Sequence, residues 1–214
     1  MTDKKTTEAV GKILEESKKL DRKFKQNIDV VVNLKNLDLE NPKNRIDEEV
    51  ILPHGRGNEP KIALFASGEL ATKSKKHVDL LIKPEELEDI SKDKKKLKKI
   101  ADDHDFFIAE APLMPTIGRT LGTVLGPRGK MPKPVPPHAD ITGMVKNLKK
   151  TVRLRSKNAK TFHTVAGNET MSKEEIAENV DTIIKRLEGS LERGRMNLGS
   201  VYIKTTMGSP ERIV

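Results

Sequence analysis

The sequence predicts an α/β protein in two parts: an α+β sandwich built from both chain ends, and an inserted α/β unit with parallel strands. Three observations predict it. In the middle of the 214-residue chain, apolar strand-like runs alternate with helical periodicities, the pattern of strands joined by crossover helices. Each chain end carries one helix and only a few strands, and a unit below ~60 residues buries too little surface to hold a core. Together the ends supply two helices and four strands, enough for one sandwich. It is assigned to residues 1–59 and 157–214, and the insert to residues 60–156. The two chain crossings are expected to act as a hinge.

The elements follow in order. Residues 7–22 predict an amphipathic helix, with Val10, Ile13, Leu14 and Leu20 at helical spacing. Residues 28–34 (IDVVVNL) are β-branched and predict a strand, and residues 49–52 a returning one. His54 to Asn58 breaks the pattern. Residues 61–66 (KIALFA) form an apolar run, as in a strand buried on both faces. A short helix is expected through Lys75, then a strand over 78–82. Pro84 suits the first turn of the next helix. A lysine-rich helix over 94–104 and an apolar strand over 106–111 follow. Asp140 caps a helix bearing Ile141, Met144, Val145 and Leu148. Residues 152–155 predict a short strand within the insert, and 161–166 another beyond it. Ser172 and Glu175 form a capping box. Its helix presents Ile176, Val180, Ile183, Ile184, Leu187 and Leu191 on one face, with Gly194 as its expected end. Residues 200–204 are the last predicted strand.

The net charge is +9, which favours a polyanionic partner, nucleic acid before membrane. Residues 61–155 hold 20 cations and 12 anions, the remainder 21 and 20, so the excess is expected in the insert. Five Phe, one Tyr and no Trp are too few for rows of stacked bases. Recognition should therefore rest on backbone, sugar and shape. The absence of cysteine excludes disulfides and zinc-thiolate sites. Neither a signal core nor an apolar run of ~20 residues is present, so a cytoplasmic protein without a membrane partner is expected.

Residues 121–136 (LGTVLGPRGKMPKPVP) are the least ordinary stretch. Its glycines and prolines predict tight turns rather than a continuing helix or an inner strand, and Arg128, Lys130 and Lys133 suggest phosphate contact. It is no nucleotide loop: Met131 follows Gly129-Lys130 where Ser or Thr is needed, and Val124 stands where the leading glycine belongs. The histidines at 54, 77, 104, 138 and 163 show no ligand spacing. No catalytic set, metal or cofactor is expected.

Residues 122–134 (GTVLGPRGKMPKP) and 201–208 (VYIKTTMG) resemble two motifs of the L-one family, the first protein of the large ribosomal subunit. RKF at 22–24, LPHG at 52–55 and FHTVAG at 162–167 extend the resemblance over essentially the whole chain, with the archaeal branch nearer than the bacterial. The resemblance implies a split domain and an inserted Rossmann-like α/β domain. It also implies a non-enzymatic, ribosome-associated protein that is monomeric when free. Its partners would be large-subunit ribosomal RNA of the stalk, transfer RNA at the exit site and its own messenger RNA, whose translation it represses. Carried over by position, the RNA contacts would be Lys23, Phe24, Ser200, Thr205, Thr206, Met207 and Gly208. In the turn at 156–160 this sequence lacks the bacterial Asn-Asp-Lys pattern, and Lys157 is expected to substitute. Arg128 and Lys130 are secondary candidates. A free messenger-binding regulator acting off the ribosome is the alternative.

Overall fold

A computed structural model describes residues 4–20, 22–74, 77–137 and 139–214; the side chains of Leu20, Glu69, Glu88, Ser91, Lys92 and Lys94 are not among those described. The expected helix end at Lys75, the place of Leu20 on its helix face, and His138 fall outside that description. Along the chain run α1 (Lys4–Leu20), β1 (Asn27–Leu34), β2 (Asp47–Ile51), β3 (Ile62–Phe65), α2 (Gly68–Ser74), β4 (Leu80–Ile82) and α3 (Pro84–Lys92). Then come α4 (Lys94–Asp103), β5 (Phe106–Glu110), α5 (Met114–Thr120), α6 (Gly122–Arg128), β6 (Lys133–Val135) and α7 (Thr142–Lys149). β7 (Thr151–Arg155), β8 (Thr161–Asn168), α8 (Lys173–Ser190), β9 (Leu198–Thr205) and β10 (Glu211–Arg212) complete it. The chain divides into two compact units, Met1–Glu59 with Lys150–Val214, and Pro60–Lys149.

In the split unit, β10, β9, β1 and β8 form one antiparallel sheet in that order. Its β1 alternates strictly between half-buried and buried residues, the signature of a sheet with one covered face. Ile28, Val30, Val32 and Leu34 point inward, against Val10 and Ile13 of α1 and Ile176, Val180, Ile183 and Leu187 of α8. Each such side chain contributes roughly 1.5–3 kcal/mol on full burial. The helix α8 opens on the capping box read from the sequence, with Ser172 and Glu175 bonded reciprocally. It ends at Ser190, earlier than expected, because Leu191 turns extended; Gly194, at φ 52, opens a separate 3₁₀ turn (Gly194–Asn197).

Two strands sit elsewhere than the sequence suggests. The pair β2–β7 forms its own antiparallel ribbon, so 152–155 belongs to the split unit and not to the insert. Both Arg153 and Arg155 reach Asp47 across this ribbon. The second crossing therefore falls after Lys149, and three cations change sides. The split unit then carries 24 cations and 20 anions, the insert 17 and 12. At +4 and +5, the charge is shared rather than confined to the insert.

The insert is a parallel sheet, β4-β3-β5-β6. Ala63, Phe65, Phe107 and Ala109 face Leu87, Leu97, Ile117, Leu121 and Leu125 from α3 to α6. Ile62, Leu64 and Ile108 face Leu70 of α2 and Val145 and Leu148 of α7. With helices on both faces every residue of β3 is buried, as the apolar run required.

The stretch 121–136 is more regular than its glycines and prolines suggest. Residues 122–128 are helical, with Pro127 in the last turn. There its missing N–H removes a single helical bond, and the helix stops at Gly129 in any case. Gly129 takes the left-handed conformation (φ 69), which glycine adopts without strain. Pro134 lies in β6, an edge strand, where a proline costs no inner ladder bond.

Candidate nucleic-acid interface

The split unit leaves one sheet face without helices. Its register places Ser200, Asn33 and Thr161 in one row, Arg212, Tyr202, Val31 and His163 in the next, and Lys204, Asp29 and Val165 in a third. Burial raises the Asp29 carboxyl above its ordinary value, opposed by the positive charge of His163 and Lys204. Between His163 and Lys204 it offers a sugar hydroxyl an acceptor.

One end of this face is built by the chain termini. Ile28 pairs with Thr205, which sets the turn before β1 beside the turn after β9. Phe24 is 51% exposed and Met207 57%. The Met207 N–H donates to the side chain of Gln26 at 3.0 Å. Gln26, itself 1% exposed, donates to Ser17, whose hydroxyl donates to Glu169. A buried polar chain thus fixes the backbone behind an apolar side chain that points to solvent. Thr206 closes the strand pair: its hydroxyl accepts from the Asn27 N–H and donates to the Asn27 carbonyl, each at 3.2 Å. One lone pair remains for a ligand. Thr205 differs from the other predicted contacts. It is 1% exposed, so it underlies the turn instead of presenting a group to RNA. A Cβ on Gly208 would collide with the Thr205 hydroxyl, so only glycine fits there. Lys23 is exposed beside Phe24.

Ser200 and Lys157 lie at the other end, about 20 Å along the sheet at ~3.4 Å per residue. Ser200 accepts from the Asn33 amide at 2.7 Å and keeps its own proton to donate outward; the Asn33 carbonyl oxygen accepts from Thr161, also at 2.7 Å. Lys157 is exposed on a turn at φ 49. The eight predicted positions therefore form two groups and not one. Asn33, Thr161 and Gln26 were missed by sequence reasoning. Only the pairing of strands far apart in sequence reveals them.

The two secondary candidates belong to the insert's own structure. Helix α4 ends on Asp102 and Asp103 and has no basic residue in its last turn, an unfavourable arrangement for a helix dipole. Lys130 supplies the missing cation. Its ammonium donates to the carbonyls of Ala101 and His104 at 2.8 and 2.7 Å, and Arg128 bonds Asp102 at 3.0 Å. Among the described residues no cluster could hold a metal ion, and no helix is long and apolar enough to cross a membrane.

Fold and open face together define a class: a split antiparallel unit with one bare, hydroxyl-bearing sheet face, interrupted by a parallel unit sealed on both sides. The chain belongs to the ribosomal protein L1p/L10e family, whose model matches residues 13–209. Similar curated proteins include the large ribosomal subunit protein uL1 of Methanocella arvoryzae, 51% identical over the whole of both chains. That of Thermoplasma acidophilum is 50% identical over 96% of this chain and 94% of its own. That of Haloferax volcanii is 49% identical over 94% of each. The family is the one the motifs resemble, and the relatives are archaeal, as expected. Its members are structural proteins and not enzymes.

Proposed function

We propose that this chain is a structural protein of the large ribosomal subunit that binds ribosomal RNA through the open sheet face of its split unit. The observation that carries this is the pairing of two exposed apolar side chains, Phe24 and Met207, with a backbone held by buried Gln26. A rigid apolar contact next to free hydroxyls suits RNA, whose riboses offer both an apolar face and a 2′-hydroxyl. The same reading places the protein on the mobile stalk near the exit site for transfer RNA, which the cationic helix α4 would meet electrostatically. It also makes the protein a repressor that binds its own messenger RNA with the same face.

Met207→Asp should weaken binding to large-subunit RNA by on the order of 10–100-fold, since it sets a carboxylate against phosphates and removes apolar contact. The melting temperature should not move. Unchanged affinity would reject the site. The alternative, a regulator acting off the ribosome, uses the same surface and is separated by competition: messenger RNA that displaces ribosomal RNA at equal concentration would favour it.

A further inference from the structure

The end of the open face opposite Met207 carries a second exposed methionine that none of the motifs touches. Met196 is 70% exposed, the most exposed large apolar side chain among the described residues. A lone surface methionine is ordinary, but this one sits on a fixed turn. Its neighbour Asn197 is 1% exposed and acts as a bracket. The Asn197 side-chain oxygen accepts from the Arg193 N–H at 2.9 Å, and its amide donates to the Lys35 and Asn36 carbonyls at 3.2 and 3.3 Å. Its own carbonyl accepts from the Lys35 N–H at 2.8 Å. Leu34 donates in turn to the Lys160 carbonyl at 2.7 Å. Three segments distant in sequence are thus locked side by side at the edge of the Ser200–Asn33–Thr161 row.

These segments carry Arg193, Arg195, Lys35, Lys157 and Lys160, all exposed. None of the five cations has an ion-pair partner among the described residues. The acids nearest in sequence are Glu192 and Asp38, and Asp38 already accepts from the Glu40 N–H. By contrast, Arg153 and Arg155 of the β2–β7 ribbon are both ion-paired with Asp47. The construction repeats that of the Met207 end: an exposed apolar side chain on a turn pinned by a buried amide, with lysine or arginine beside it.

We infer that the Met196 turn and the cations of the segments locked beside it form a second RNA-docking patch that holds a sugar-phosphate strand continuing past Ser200. The cations take phosphates, Met196 packs on a ribose, and the outward Ser200 proton serves a hydroxyl at the junction. This rests on the open face being the RNA-binding face, and the test separates the two claims. The full chain, the double variant Arg193→Gln/Arg195→Gln, Met196→Asp and Met207→Asp are titrated with protein-free large-subunit RNA across a salt series, with melting curves to verify folding. The double variant should bind several-fold more weakly and show a log–log salt slope shallower by about 1–2, since two phosphate contacts are lost. Met196→Asp should weaken binding about tenfold. Parental affinity and slope in both, with Met207→Asp still defective, would overturn the patch alone and leave its surface to some other partner. Weaker binding of the double variant with an unchanged slope would also overturn it, because the arginines would then not be meeting phosphates. If Met207→Asp too binds normally, the open face itself is not the RNA surface.

Discussion

The molecule contains two four-stranded sheets that handle their faces in opposite ways. In the split unit the strands are antiparallel, and β1 buries every second residue. In the insert the strands are parallel, and β3 buries all of them. A crossover connection carries a helix onto the sheet, and with helices on both sides nothing of the strands is left to meet a ligand. In the antiparallel sheet the crossover from β8 to β9 through α8 lies on the same side as α1, and the other face stays bare. The difference explains where recognition chemistry can lie. In the split unit strand residues themselves face outward, as Ser200, Tyr202 and Lys204 do. In the insert only helices and loops can, and two of its most conspicuous cations are used to finish α4.

Five substitutions test that contrast, in falling order of effect. Phe65→Ala removes a side chain 1% exposed and stacked on Phe107. It should cost about 3–5 kcal/mol in the insert's unfolding, while Val31→Ser on the bare face costs at most about 1 kcal/mol. Equal costs by calorimetry would mean that the two faces do not differ as described. Lys130→Met should cost the insert about 1–2 kcal/mol through two unsatisfied carbonyls and leave RNA affinity as it was. A loss of affinity at full stability would return Lys130 to the interface. The smallest effects are pH-dependent and opposite in sign. The hydrogen bond with Ser172 holds the Glu175 carboxyl below its ordinary 4.5, so its contribution to stability is present above that pH and lost as pH falls through the lowered value. Glu175→Gln should flatten this acid limb. Burial raises the Asp29 carboxyl above 3.8, so its contribution is present below that pH and lost as pH rises through the raised value. Asp29→Asn should therefore stabilise the split unit at neutral pH and make no difference in strong acid, as read from denaturant midpoints.

Local signals in the sequence foretold local structure. The capping box at Ser172, the proline at the start of α3 and the unbroken apolar run of β3 each depend on neighbours within a few residues. What escaped depended on partners far away. Residues 151–155 carry a strand pattern, but nothing in them names Asp47–Ile51 as the partner, so the strand was placed in the wrong unit and its cations with it. Lys130 sits in a motif rich in phosphate-like cues, and only the end of α4, some 26 residues earlier, shows that its charge is already used. Pro127 breaks a helix in its interior but not in its last turn, where it stands here. Of the site, the Phe24 and Met207 turns came from motif resemblance. The Asn33–Ser200–Thr161 row needed three strands in register, and short strands do not state their register alone.

The position of β1 sets a schedule. Both of its partners, β8 and β9, lie far downstream, and roughly 160 residues separate β1 from β9. At ~5–20 residues per second of synthesis, β1 waits on the order of ten to thirty seconds for the strand that carries Ser200 and leads into Met207. The insert has all of its strands by residue 135 and can close in that interval. A nascent chain therefore holds a finished inner unit before the open face of its split unit exists. If RNA binds that face, as proposed, unfinished chains do not compete for it, and recognition certifies that translation has passed the last strands.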